Sequence, residues 1–428
     1  MRDQASLRIR ANPLPTRGIV LPSNTQSILI VLSVAAVAPV ISGLVGLRLR
    51  SVILPVVVVE LLLGVVIGPQ VLDLAYEDDI LGAFADFGLA FLFFFAGYEI
   101  RIERLLGAPL KLALIGWGIS LALAYALSGG LHSLGIVVSG LLAGSALVTT
   151  AIGTLVPILN DEGKLEGNFG KHMLAVGAIG ELGPILIVTL LLGASTGEAH
   201  QIALLIAFVV VAVLAGLVTT GIATRWFGFI QARIEQSGQL PIRLTVLLLF
   251  ALVAIAGDLG MDVILGAFAA GMIMGMIVGD REARLFETKL EAVGFGFLIP
   301  FFFITSGMAV DVDALFGSVE DFLKLPLFFA LMLIVRGVPA MLLYKRELPR
   351  EELAPLAFLS ATQLPLVVAI TSIGLETGKM HATTAAALVG AAVLSVLIFP
   401  SIAVRLLRRN DEIGPRDEGD DLLSSISG

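Results

Sequence analysis

The stretch KHMLAVGAIGELGPILIVTLLL, residues 171–192, decides how this chain reads. It is long enough to cross a bilayer, which takes about 20 predominantly apolar residues. A lone acid, Glu181, stands at its centre, with Gly183 and Pro184 just after it. A carboxylate in mid-membrane costs roughly 2.5–3.5 kcal/mol on insertion scales, so such acids are rare and usually functional. Pro184 has no N–H to give to the carbonyl four residues back, and that carbonyl belongs to Gly180. Glu181 beside a freed Gly180 carbonyl is therefore read as a site for a proton or a small cation. The competing reading is a carboxyl held by a structural partner in a packed bundle.

Composition sets the class around that stretch. The 428 residues are 57% hydrophobic and 14% charged, and the mean hydropathy is +0.99. A soluble domain carries roughly 25% charged residues, so the expected fold is an all-α polytopic membrane protein. The absence of cysteine removes disulfides, thiolate metal sites and thiol nucleophiles. The four histidines fall in expected loops or at helix ends, which argues against a histidine metal centre. No Ser-His-Asp set or phosphate-cradling loop stands out, so an enzyme is not expected, nor are catalytic residues, a cofactor or a nucleic-acid partner. Residues 1–26 are polar and arginine-bearing, without the short apolar core of a cleaved signal.

Apolar runs of bilayer length give about 13 spans, near 27–47, 52–72, 82–98, 109–127, 133–159, 171–193, 201–224, 242–257, 263–279, 292–309, 322–343, 353–374 and 384–404. The loops after spans one, three, five, seven, nine and eleven, with the C-terminal tail, carry most of the arginine and lysine. The opposite loops hold only Lys324 and Lys379. The basic set is expected to be cytoplasmic. Arg2, Arg8, Arg10 and Arg17 conflict with this, because the same topology puts the N-terminal tail outside.

Segments seven spans apart resemble one another. Gly97-YEIRIER-Leu105 and Gly307-MAVDVDA-Leu315 each follow a phenylalanine run, Gly64 and Gly68 answer to Gly271 and Gly275, and Ser145, Thr149 and Thr150 answer to Ser360, Thr362 and Gln363. An odd offset inverts one half against the other, an architecture common among secondary transporters. The expected organisation is a transmembrane domain over 27–404, with repeat one about 27–193, a linker helix about 201–224 and repeat two about 242–404. A short cytoplasmic tail follows over 405–428. Pro157 and Pro365 would free the carbonyls of Gly153 and Ala361, marking paired breaks in spans five and twelve. Read singly, such kinks and threonines are ordinary features of membrane bundles. Arg336 lies deep in span eleven and needs an anion or carbonyl dipoles; Glu181 and the two breaks are candidates. Glu60 and Asp86 read as acids at pathway mouths or caps.

ELLLGVVIGP (60–69), GLAFLFFFAGYEIRIERL (88–105), SALVTTA (145–151), LGAFAAGMIMG (265–275) and FLIPFFFITSGMAVDVDAL (297–315) together resemble the monovalent cation:proton antiporters, nearest the bacterial sodium/proton and potassium/proton exchangers. The resemblance implies two crossing unwound helices, a homodimer in the cell (inner) membrane, elevator-like transport and a role in pH homeostasis. It matches the two breaks to Thr149-Thr150-Ala151 and to Ser360–Pro365, and the basic residue of span eleven to Arg336. The family's acid on span six is usually an aspartate after Asn, Gln or Asp, and here the pair is Gly180-Glu181. Family members with two adjacent acids are typically electrogenic, so this single acid implies one-for-one, electroneutral exchange. The short segment after the last span implies no nucleotide-binding domain. The site expected is Glu181, Thr149, Thr150, Gly180 and Gln363 holding Na⁺ or K⁺ in competition with H⁺, and Arg336 compensating charge at the crossing. An ion-binding sensor or inactive scaffold, and a sodium-coupled organic-anion transporter, are the alternatives.

Overall fold

The computed structural model describes residues 23–48, 54–99, 107–192, 239–258, 263–278 and 283–413, and everything described is helix, turn or loop. The helices are α1 (Ser23–Arg48), α2 (Val56–Ile67), α3 (Asp79–Glu99), α4 (Ala108–Ser133), α5 (Gly140–Leu147), α6 (Ile152–Asp161), α7 (Asn168–Leu192), α8 (Leu240–Asp258), α9 (Val263–Ile277) and α10 (Ala283–Val293). A π-helical turn, Gly294–Leu298, then leads into α11 (Ile299–Met308). After it come α12 (Val312–Phe316), α13 (Val319–Leu343), α14 (Arg350–Ser360), α15 (Pro365–Glu376) and α16 (Ala382–Ile413). Among the described residues nine helices are long and apolar enough to cross a membrane, and three shorter apolar ones run over Val56–Ile67, Gly140–Val156 and Ile264–Ile277. The expected linker helix at 201–224 and most of both expected tails lie outside the described residues.

Helix is the outcome even for runs such as VVVVELLLGVVI in α2, because in lipid each backbone group must find its partner within the segment. Ends are marked by ordinary caps. The Ser139 hydroxyl accepts from the Leu142 N–H at 3.2 Å, and the Asp311 carboxylate accepts from the Ala314 N–H at 2.8 Å. Ser318 accepts from the Asp321 N–H at 3.1 Å and donates to its carboxylate at 2.7 Å, starting α13.

The described helices pack as two bodies. In one, α2 lies on α11, α3 on α9, α9 on α8, and α1 against α2. In the other, α4 packs on α5, α7 and α13, while α13, α14 and α16 pack on one another and α15 on α16 and α5. The bodies meet where α3 runs against α6 and α7 against α9.

Glycine sets the first body's spacing. A Cβ on Gly64 or on Gly307 would fall on a carbonyl oxygen across the α2–α11 contact, that of Ile304 or Leu61. The α3–α9 contact repeats this with the roles exchanged: a Cβ on Gly271 or Gly97 would fall on the carbonyl oxygen of Phe94 or Phe268. Backbones this close favour small residues, as membrane helix pairs generally do. Gly64→Ala and Gly271→Ala are each expected to cost about 1–3 kcal/mol by overpacking. Thermal unfolding in detergent should show the loss, and an unchanged midpoint would contradict the packing described.

One sequence expectation changes here, while α7 runs through Pro184 continuously from Asn168 to Leu192. Glu60 does not sit at a mouth; it is buried within α2 at 3% exposure.

Candidate functional site

Two interrupted helices cross inside the second body. The first stops at Leu147 and restarts at Ile152; the second stops at Ser360 and restarts at Pro365. Pro365 is the first residue of its new helix, the position where a missing N–H costs nothing. The first break behaves differently. It covers residues 148–151, and Pro157 lies inside α6 rather than at the gap. No proline marks this interruption, and it is held by tertiary bonds. The Ala151 N–H donates to the Thr362 carbonyl at 2.8 Å, the Thr150 N–H to the Gly180 carbonyl at 3.1 Å, and Gln363 Nε2 to the Leu147 carbonyl at 2.9 Å. Ser395 of α16 bridges the second break, accepting from the Gln363 N–H and donating to the Gln363 carbonyl.

Arg336 of α13 fastens the crossing. It is 3% exposed. Its Nε and Nη2 donate to the Thr150 hydroxyl at 3.1 and 2.7 Å, Nη2 also to the Val176 carbonyl at 3.2 Å, and Nε to the Ser360 carbonyl at 3.3 Å. Among the described residues no ion pair joins it to Glu181. The carbonyl ends of the unwound segments supply the negative potential a buried guanidinium needs.

Glu181 faces the start of α6. Its Oε1 accepts from the Ile152 N–H at 2.9 Å, one of the donors a helix N-terminus leaves open. Its Oε2 is buried and has no hydrogen-bond partner. The carboxyl lines a cavity of about 420 Å³, together with Thr149, Thr150, Gly153, Thr154 and Glu99. Phe93, Phe95, Phe295 and Phe303 contribute to its apolar wall.

The structure separates the expected site residues. Glu181 and Thr149 share the cavity, and Thr149 donates to the Ala146 carbonyl at 3.1 Å, which leaves its oxygen lone pairs open. Thr150 reaches the cavity too, but its hydroxyl is fully used. It donates to the Ser360 carbonyl at 2.7 Å and accepts twice from Arg336. Its side chain is a lock on the crossing rather than an oxygen for a cation. The Gly180 carbonyl, expected to be free, is taken by the Thr150 N–H. Gln363 is fully buried, ties the two breaks together and is absent from the cavity wall. Arg336 stands at the crossing and, of the partners the sequence offered it, takes carbonyls rather than Glu181, together with the Thr150 hydroxyl.

One cavity residue escaped the sequence reading. Glu99 closes α3 one residue beyond the expected span, and its Oε2 is also buried without a partner. A signal was present: in the two similar segments the residue two after Gly97 is Glu99, whereas two after Gly307 stands Ala309, so the acid is a point where the segments differ.

Thr150→Val removes one donor and two acceptor contacts at once. We expect a loss of about 2–5 kcal/mol, since it leaves the arginine partly unpaired in a buried setting. Chemical or thermal unfolding in detergent checks this, and a loss below 1 kcal/mol would mean the lock matters little.

The chain matches the family described as sodium/hydrogen exchanger, transmembrane, over residues 32–409. A putative Na⁺/H⁺ antiporter of Bacillus subtilis (strain 168) is 27% identical, the match covering 91% of this chain and 64% of that protein. This chain therefore spans less than two thirds of that relative's length. The Na⁺/H⁺-K⁺ antiporter GerN of Bacillus cereus is 25% identical over 81% of this chain and 88% of its own. Among solved structures, the sodium proton antiporter MjNhaP1 from Methanocaldococcus jannaschii at pH 8 superposes with a TM-score of 0.59 and 17% identity. That match covers 90% of this chain and 97% of the other, and it speaks for the fold.

Proposed function

The chain belongs to the sodium/hydrogen exchanger family, and from that premise we propose that it is a secondary antiporter. It exchanges a monovalent cation, Na⁺ or K⁺, for protons, and the two compete for Glu181. The observation that carries this reading is the unpartnered Glu181 Oε2 in the cavity at the crossing of two interrupted helices. Relatives named as Na⁺/H⁺ and Na⁺/H⁺-K⁺ antiporters agree with it.

The geometry suits alternate occupancy. Arg336 is satisfied by Thr150 and two carbonyls, so it stabilises the crossing without filling the acid's place. Glu181 keeps one oxygen on the Ile152 N–H in either state. The other oxygen carries the proton or faces the cation, with Thr149 and water completing an oxygen shell. An empty, charged carboxylate is costly to carry through the barrier, and this cost couples the two fluxes. Counting Glu181 alone, one proton replaces one cation and the exchange is electroneutral. The swapped glycine contacts of the α2–α11 and α3–α9 pairs support an inverted repeat.

The cavity is lined from the start of α2 (Pro55), the end of α3 (Glu99), the turn before α11 (Phe295) and the first turn of α6 (Thr154). The first three adjoin basic loops, and α6 runs from the crossing towards another, so the cavity opens to the cytoplasm, the side of the C-terminal end of α16. We place the protein in the cell membrane as a homodimer.

The test is a proteoliposome assay with an internal pH dye, adding Na⁺, K⁺ and Li⁺ salts in turn. A pH change dependent on one or more of these cations is the expected result. No response to any of them, from protein shown to be folded, overturns the reading.

A further inference from the structure

Glu99 and Glu181 line one cavity but come from different bodies: α3 packs with α9 and α11, while α7 packs with α4 and α14. Each has a buried Oε2 without a hydrogen-bond partner. Glu181 is itself 6% exposed, so its free oxygen is aimed into the cavity rather than at bulk water. Between the two acids stands the first turn of α6. A Cβ on Gly153 would lie 3.8 Å from both oxygens of Glu99, and the neighbouring Ile152 N–H holds Glu181. With glycine there, no side chain stands between the Glu99 carboxyl and the helix start that orients Glu181. Arg336 is committed elsewhere. Two further acids, Glu287 and Glu291 of α10, act on Glu99 with like charge, which a cation in the cavity would offset.

An exchanger must present its site to the two faces in turn, commonly by rigid displacement of one bundle against the other. The α3–α6 and α7–α9 meetings are the seam along which such a displacement would run. Motion there takes Glu181 with its body and leaves Glu99 behind.

We propose that Glu99 is a second, side-specific ligand for the transported cation. On the face where α3 and α16 end, the cation is held between Glu99 and Glu181; on the opposite face it is held without Glu99. The inference rests on the antiporter reading above. Its consequence is an asymmetric affinity, tighter from the α16-end face, for which Glu99 is responsible.

The experiment measures the apparent KM for NaCl and KCl from each face, in proteoliposomes of defined orientation, for the wild type, Glu99→Gln and Gly153→Val. Glu99→Gln should raise KM on the α16-end face about tenfold or more, the scale of a lost charged contact. On the other face KM should stay within about twofold. Equal changes on both faces, or none, overturn the proposal, because a merely structural role has no side. Gly153→Val inserts a branched side chain towards Glu99 without altering either acid, so it carries the test if Glu99→Gln fails to fold. It should raise KM on the same face, and an unchanged KM there counts against the proposal. Absence of exchange in the wild type would refute the antiporter reading instead.

Discussion

Glu181→Gln is expected to bring exchange to background while the protein still folds. The amide is nearly isosteric, and its oxygen can still accept from the Ile152 N–H, so the start of α6 keeps its partner. What disappears is the charge. A carboxamide neither carries the exchanged proton at cytoplasmic pH nor offers a cation a full negative charge. Removing one member of a buried charge pair costs about 3–5 kcal/mol, which corresponds to roughly a hundredfold to several thousandfold in affinity. The buried acid also costs folding energy, so its removal should leave thermal stability equal or higher. The two readouts together discriminate: flux lost with the melting temperature kept or raised is the signature of a functional acid. Flux retained in Glu181→Gln would place the exchange site elsewhere, and flux lost with the fold would make Glu181 structural. Glu181→Asp should fall between, because the shorter side chain keeps the charge but withdraws from Ile152.

The spans were legible because in lipid a bilayer-length apolar run has few options other than helix. Thus 171–193 appears as Asn168–Leu192, and even the short run at 242–257 appears as Leu240–Asp258. The second interruption was legible as well, since Pro365 sits where a helix must begin. The first was placed at Thr149-Thr150-Ala151 by the resemblance and not by its proline. Pro157 lies inside α6, and the gap at 148–151 is held open by bonds to residues more than 200 positions away, such as Thr362 and Gln363. Local propensity contains no trace of such partners. The same limit explains Gly180 and Thr150. Proline chemistry announces a freed carbonyl and threonine announces an oxygen, but only the crossing shows that the one receives the Thr150 N–H and the other serves Arg336. Glu99 was passed over because a span end normally explains an acid, and its approach to Glu181 depends on how two bodies meet.

Gly180 should prove nearly as intolerant as Glu181, for a reason the pattern of alternating spans does not contain. A Cβ at this position would lie 2.6 Å from the Thr150 hydroxyl oxygen, 2.7 Å from Arg336 Nη2 and 2.8 Å from the Thr150 Cβ. The space that a side chain before the acid would take is thus occupied by the lock on the crossing. Gly180→Ala must displace either the threonine or the guanidinium. Overpacking costs about 1–3 kcal/mol, and freeing the arginine from its partners adds up to about 3–5 kcal/mol more. We expect a marked fall in melting temperature and at least a tenfold loss of exchange, because the Thr150 N–H, Gly180 carbonyl and Ile152 N–H are consecutive parts of one frame. Gly180→Asn should be worse than alanine, since it is larger and meets the same atoms. A functional, stable Gly180→Asn protein would show that Arg336 has another resting place. The glycine is then best understood with Arg336 and Thr150 as a set: the space a side chain at 180 would need is filled by the arginine–threonine clasp that fastens the crossing.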